Sequence, residues 1–211
     1  MLRFIKNDKG IMGLTLSQIG LIIAAGILIT AVFSLVFQNN WQKEAELKNI
    51  ASSFSTIIKG MDSKFFENTT VFHFSEKNYE YFVNISTEYV IVTSGSSTND
   101  ELSIKERFLV RPWPKSKNMS WRNGIELHEY LNANFNNSGN ISDPIQNVSE
   151  VKNYLGNERE IANKYFALNP LYIHINKVVH LDKIYVYYDS NGDGMWDKDD
   201  EKQDFILIYQ C

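Results

Sequence analysis

Residues 20–37 read GLIIAAGILITAVFSLVF, and residues 41–61 read WQKEAELKNIASSFSTIIKGM. The first block is almost wholly apolar, and no charged residue occurs from Ile11 to Gln42. At about 1.5 Å per residue, the apolar run from Ile11 to Phe37 has the length to span a ~30 Å hydrocarbon core. In the second block Leu47, Ile50, Ala51, Phe54, Ile57, Ile58 and Met61 recur at steps of three and four, the one-face spacing of a helix. Proline is absent from Met1 to Phe66. The expectation is one helix from about Leu14 to about Lys59. Its first half is apolar all round, and its second half carries a stripe for a sheet to cover.

Charge gives an orientation. Arg3, Lys6 and Lys9 precede the apolar run, while Lys43 and Lys48 follow it mixed with Glu44 and Glu46. The positive-inside tendency then puts the N-terminus in the cytoplasm and the C-terminal domain outside, as a single-pass membrane protein. A cleaved secretory signal fits poorly, because its apolar core is about 7–15 residues long and ends in small residues. Here Ala24-Ala25-Gly26 lies in the middle of the run. Residues 1–10 hold three of the 21 Lys+Arg and one of the 25 Asp+Glu, so the remainder carries 18 against 24, a net −6. That balance argues against nucleic acid as a partner. The single cysteine, Cys211, forms no intramolecular disulfide, and the lack of a Cys/His cluster removes structural zinc.

Lys9-Gly10 stands immediately before the hydrophobic segment that opens at Ile11. A basic residue and glycine at this polar-to-apolar junction, followed by one long helix, resembles the type IV pilin-like surface proteins in their archaeal form. The resemblance covers about the first 60 residues. It implies cleavage after Gly10 on the cytoplasmic side, a mature chain beginning at Ile11, and other pilin-like subunits as partners through the helix. Many such pilins carry glutamate at the fifth mature position; here it is Thr15. Polar Thr15, Ser17 and Gln18 then offer helix-to-helix hydrogen bonds in its place.

From Asn68 the texture becomes β. TTVFHFS, YEYFVNI, EYVIVTS and LSIKERFLV are short runs rich in β-branched and aromatic residues, separated by turn signals. RPWPKSKNMSWRNG reads as a surface excursion, ELHEYLNANF as a short helix, and SEVKNYLGNEREIANKYFAL as one or two helices with Ser149 as N-cap. LYIHINKVV, KIYVYYD and DFILIYQ return to strands. The fold class expected is α+β: a long N-terminal transmembrane/amphipathic helix followed by an antiparallel β-rich head domain. Its parts are a basic leader at 1–10, the helix at 11–66, and an exported domain at 67–211.

Between the last two strands lies DSNGDGMWDKDD, Asp189 to Asp200. Against twelve-residue calcium geometry, Asp189, Asn191, Asp193, Asp197 and Asp200 take positions 1, 3, 5, 9 and 12. Gly194 takes the sharp turn at position 6, and Met195 offers its carbonyl at position 7. Asp200 departs from the usual glutamate, and Glu201 stands beside it as a substitute. Seven carboxylates from Asp189 to Asp204 face only Lys198 and Lys202, a local −5 that a divalent cation would relieve. The loop resembles dockerin-type and other exported calcium loops, and calcium is the expected cofactor. Its β-like flanks make it a clamp on a hairpin; the alternative is a solvated acidic turn.

Asn-x-Ser/Thr sequons at Asn68, Asn84, Asn118, Asn136, Asn140 and Asn147 are glycosylation candidates. No HExxH, GxSxG or phosphate-binding glycine loop occurs. The four histidines do not cluster, and His73 and His174 sit in strand-like runs as polar-face or tolerated core residues. The sequence therefore predicts no enzyme. It predicts a pilin-like or pseudopilin-like surface assembly protein with a calcium-stabilised head. The alternative is an uncleaved membrane-anchored ectodomain serving as an adhesin-like or stator-like binding module.

Overall fold

The computed structural model describes residues 16–95, 102–115 and 120–210. Its elements in order are α1 (Leu16–Asp62), β1 (Asn68–Phe72), β2 (Tyr81–Ile85), β3 (Tyr89–Ser94), β4 (Leu102–Arg107), β5 (Trp113–Pro114), α2 (Gly124–Phe135), α3 (Val148–Leu168), β6 (Leu171–Ile173), β7 (Val179–Tyr187) and β8 (Lys202–Gln210). By internal contacts the chain divides into two compact units, Met1–Ala45 and Glu46–Cys211.

The described part of the first unit is the leading stretch of α1. Ile19, Leu21, Ile22, Ile23, Ile27, Leu28, Ile29, Val32 and Phe33 are all exposed there. Among the described residues no helix is long and apolar enough to cross a membrane. This corrects the expected transmembrane helix, and with it the single-pass membrane location and the anchored form of the fold class. The junction of Lys9, Gly10 and Ile11, together with Thr15, lies outside the described residues, as do Asn118 and Cys211.

The second unit holds two four-stranded sheets, ordered β1-β7-β8-β5 and β4-β3-β2-β6. The pairings are antiparallel except β5 with β8, where Trp113 lies opposite Leu207 and Pro114 opposite Ile208 in parallel register. The first sheet is thus mixed where an antiparallel head was expected. Its centre is the β7–β8 hairpin, running from Val179↔Gln210 to Tyr187↔Lys202.

Two cores lie on the two faces of that hairpin. On one face Val179, Leu181, Ile206 and Ile208 join Leu47, Ile50, Ala51, Phe54, Ile58 and Met61 of α1 and Val83, Ile85, Val90 and Val92 of the second sheet. The stripe on α1 is buried because its steps of three and four keep those side chains on one face. Phe54 stacks among Phe72, Phe74 and Phe108 at centroid distances of 5.2, 5.5 and 6.2 Å. On the other face Ile184, Val186, Phe205 and Leu207 meet Leu127 and Leu131 of α2, Val151 and Leu155 of α3, and Trp113 and Trp121. Successive strand residues point to opposite faces, so a strand covered on both sides reads as an unbroken apolar run. That is the texture of IYVYY and FILIY.

Local signals fix the two helices. Asn123 caps α2 by accepting from Glu126 N–H at 2.9 Å, and Glu126 accepts in return from Arg122 N–H at 2.7 Å. Gly124 sits against Ile184, where a Cβ would come within 2.3 Å of the isoleucine side chain. α2 stops at Asn136, whose φ of 61° places it in the left-handed region. α3 is a single helix, and its cap position is Asn147, not Ser149. The supposed surface excursion is also corrected, because Trp113 and Trp121 are buried with ring centroids 5.6 Å apart.

Candidate functional site

The acidic segment closes the β7–β8 hairpin, where Tyr188 N–H donates to Glu201 O at 3.0 Å. Asp189 and Asp200 are buried, while Asn191, Asp193, Met195 and Asp197 are exposed. Asp189 Oδ1 accepts from Gly192 N–H at 2.7 Å and Asp193 N–H at 3.2 Å, and its Oδ2 accepts from Gly194 N–H at 2.9 Å. Asp200 Oδ1 accepts from Ser190 N–H at 2.9 Å, and its Oδ2 from Asp197 N–H at 3.1 Å. Gly192 and Gly194 have φ of 80° and 86°, a region L-residues seldom adopt, so glycine supplies the two reversals.

The exposed members bond locally. Asn191 Oδ1 accepts from Asp193 N–H at 2.9 Å, Asp193 Oδ1 from Met195 N–H at 2.9 Å, and Asp197 Oδ1 from Asp199 N–H at 2.8 Å. These are Asx turns, in which a short carboxylate or amide satisfies an amide two residues on. Glu201 is held by Lys152 of α3 in an ion pair. Among the described residues no group of three or more His, Cys, Asp or Glu is gathered so as to hold a metal ion. The expectation of a calcium-binding protein is corrected on that finding. The carboxylates of Asp189 and Asp200 are turned onto backbone amides, Asp193 and Asp197 each accept from the N–H two residues on, and Glu201 pairs with Lys152. Chemically this makes a self-closed acidic turn.

The sequons separate by environment. Asn68 lies in β1 and its Nδ2 donates to Met61 Sδ at 3.3 Å and Thr70 Oγ1 at 3.2 Å. Asn84 lies in β2, flanked on both sides by β3 and β6, and its Ser86 is buried. Asn147 Nδ2 donates to Glu150. Asn136 is exposed, but the hydroxyl of its Ser138 donates to Asp143 O at 3.5 Å. Asn140 sits on a turn, where its Oδ1 accepts from Ser142 N–H at 3.0 Å and from Ser142 Oγ at 2.8 Å.

That turn is fastened from several directions. Gly139 N–H donates to Asp143 O and Gly139 O accepts from Tyr187 N–H, at 2.9 and 2.8 Å. Asp143 accepts from Asn137 Nδ2 at 2.9 Å and Ser138 N–H at 2.6 Å. The Asn137 side-chain bond comes first among the causes that hold the Asp143 carboxyl below the usual carboxylate value. Ile145 O accepts from Asp189 N–H at 2.9 Å, so the sequon turn and the acidic turn share one scaffold at the end of β7.

Two polar groups lay outside any sequence signal. Lys183 on β7 has a side chain only 2 % exposed, and its Nζ donates to Asp62 O at 2.5 Å and pairs with Asp204 at 2.8 Å. Its partners come from the end of α1 and from β8, separations that local reading cannot join. His128 on α2 has Nδ1 2.8 Å from Ser138 O, while Nε2 is buried without a hydrogen-bond partner, 3.8 Å from Glu67 Oε1. His73 and His174 are both exposed. Comparison with protein-family models, with curated proteins and with solved structures gives no match for this chain.

Proposed function

We propose that the chain is a pilin-like structural subunit that assembles through the leading part of α1. The observation that carries this is the exposure of Ile19, Leu21, Ile22, Ile23, Ile27, Leu28, Ile29, Val32 and Phe33 on one helix. A helix turns about 100° per residue, which distributes these nine positions round the circumference except for a gap of roughly 100°. Gly20, Ala24 and Ala31 occupy that gap. A two-helix seam needs one narrow apolar stripe, whereas this distribution is covered only by several neighbours at once.

The magnitudes point the same way. Burying one such side chain is worth about 1.5–3 kcal/mol. Nine of them give at most roughly 14–27 kcal/mol, an upper bound because each is already partly covered, and of the same order as the about 4–15 kcal/mol or more lost on association. Left in water, this surface would exceed the apolar patch of an ordinary monomer.

Sedimentation velocity and electron microscopy of the full chain test this reading. The expected result is assemblies of many copies with a regular repeat, dispersed to single copies by Ile22→Asp with Leu28→Asp. A full chain that stays a single copy, or stops at a dimer, sinks it.

A further inference from the structure

The geometry points to Asn140 as the acceptor for an N-linked glycan, and we propose that this sequon is selected from the five described because its amide nitrogen is free while its oxygen accepts two hydrogen bonds from Ser142. Transfer requires Nδ2 to attack C1 of a sugar whose C1–O bond to a phosphate breaks. The chemical class of donor is an oligosaccharide on a polyprenyl diphosphate. The diphosphate leaves with the bonding pair, one of the two Nδ2 protons goes to a carboxylate of the transferase, and an Nδ2–C1 bond forms. No oxidant or reductant enters.

An amide nitrogen is a poor nucleophile because its lone pair is delocalised onto the oxygen. As Nδ2 gives up a proton, negative charge builds on Oδ1. Ser142 places two donors there, its N–H at 3.0 Å and its hydroxyl at 2.8 Å. Preformed donors at a developing oxyanion lower the cost of that step. Access is also met: Asn140 is half-buried on a turn whose next two residues, Ile141 and Ser142, are exposed.

The other described sequons fail on one of these counts. Asn68 and Asn147 spend Nδ2 on existing hydrogen bonds, which transfer would have to break. Asn84 lies between two paired strands with Ser86 only 1 % exposed, so its hydroxyl cannot be reached without opening the sheet. At Asn136 the hydroxyl of Ser138 is turned to Asp143 and not to its own asparagine.

The test is transfer to the folded full chain by an oligosaccharyl transferase supplied with a polyprenyl-diphosphate oligosaccharide, read by peptide mass mapping. The expected result is a glycan on the peptide that contains Asn140, lost in Asn140→Gln and in Ser142→Ala and kept in Ser142→Thr. Circular dichroism of each variant checks that the fold is intact. Ser142→Thr also guards against a folding artefact, because it keeps the hydroxyl while changing the side chain. A folded chain modified at Asn68, Asn84, Asn136 or Asn147 in preference to Asn140 overturns the proposal. So does a chain left bare at Asn140, or one in which Ser142→Ala is modified as well as the parent.

Discussion

The leading stretch of α1 and the β7–β8 hairpin are both apolar in sequence, and they use that character in opposite ways. In the hairpin, Val179, Leu181, Ile206 and Ile208 feed one core, and Ile184, Val186, Phe205 and Leu207 feed the other. In the first unit, Leu21, Ile27 and Leu28 are 73, 66 and 67 % exposed. Hydrophobicity alone does not say whether a segment is satisfied within its own chain. The type of element does: a strand has two faces that other elements of the same chain cover. A helix apolar all round exceeds what one sheet can cover.

The sharpest way to break this contrast is by truncation of side chains. Trp121→Ala empties a buried site packed against Trp113, and a loss of about 3–5 kcal/mol is expected in denaturant unfolding of the second unit. Phe33→Ala should leave that same transition within ~0.5 kcal/mol while weakening assembly. Equal losses in both variants would mean that the leading stretch of α1 is part of the folded core.

Next in size comes the buried ammonium. Lys183→Ala removes two charge-assisted bonds from a side chain that is 2 % exposed. Because Asp204 is 46 % exposed and readily rehydrated, a loss of about 2 kcal/mol is expected, below that for a fully buried pair. Hydrogen exchange should show the end of α1 loosening first, since the lysine holds Asp62 O. Unchanged protection there would remove Lys183 as the fastener.

The acidic turn is expected to matter less. Asp189→Asn exchanges one acceptor oxygen for an NH₂ that faces an amide donor. In chelator-containing buffer it should cost about 1–2 kcal/mol, read from the urea midpoint. An unchanged midpoint would mean that the amide bonds of Asp189 do not close the turn.

The smallest effects are those of pH. The Asp143 carboxyl is held below its ordinary 3.8, first by the Asn137 side chain. A lowered folded value means its contribution is present above 3.8 and is lost as pH falls through the lower folded value. Asp143→Asn should flatten that acid limb of the stability curve. At the other extreme, burial and then the bond to Glu46 push the Tyr79 phenol up to about 12. A raised folded value means its contribution is full below 10 and disappears as pH rises through about 12. Tyr79→Phe should shrink the alkaline limb without abolishing it, because burial also raises Tyr81, Tyr154, Tyr187 and Tyr188; an unchanged limb would assign it to those four.

Much of the framework was legible in the sequence. Steps of three and four marked Leu47 to Met61 for burial, and the runs around Tyr81–Ile85 and Tyr89–Ser94 marked β2 and β3. What escaped reading was set by distant partners. Trp113 and Trp121 sit among prolines and polar residues, which read as surface, and the second core, with Phe205 and the two helices, buries them. Lys183 looks like an exposed interruption of a strand until Asp62 and Asp204 are brought to it. Asn147 replaces Ser149 as the cap because α3 begins earlier than its apolar pattern. The acidic turn followed a calcium-loop spacing, yet spacing does not distinguish an oxygen aimed at a cation from one accepting an amide proton. Of the six sequons the sequence favours the four between 118 and 147, in a poorly patterned stretch, but does not choose among them, because what separates them is the engagement of each side chain.

The order in which the chain is made adds one consequence. The two strands at the middle of the first sheet lie at 179–187 and 202–210, while the helix stripe they cover lies at 47–61. A ribosome will therefore have exposed the stripe of α1, the second sheet and both later helices before the strands that join them emerge. Neither core can close on a nascent chain that stops short of β8. The second unit must then fold after nearly all of it has been synthesised, and during that interval the stripe of α1 is open to chaperones.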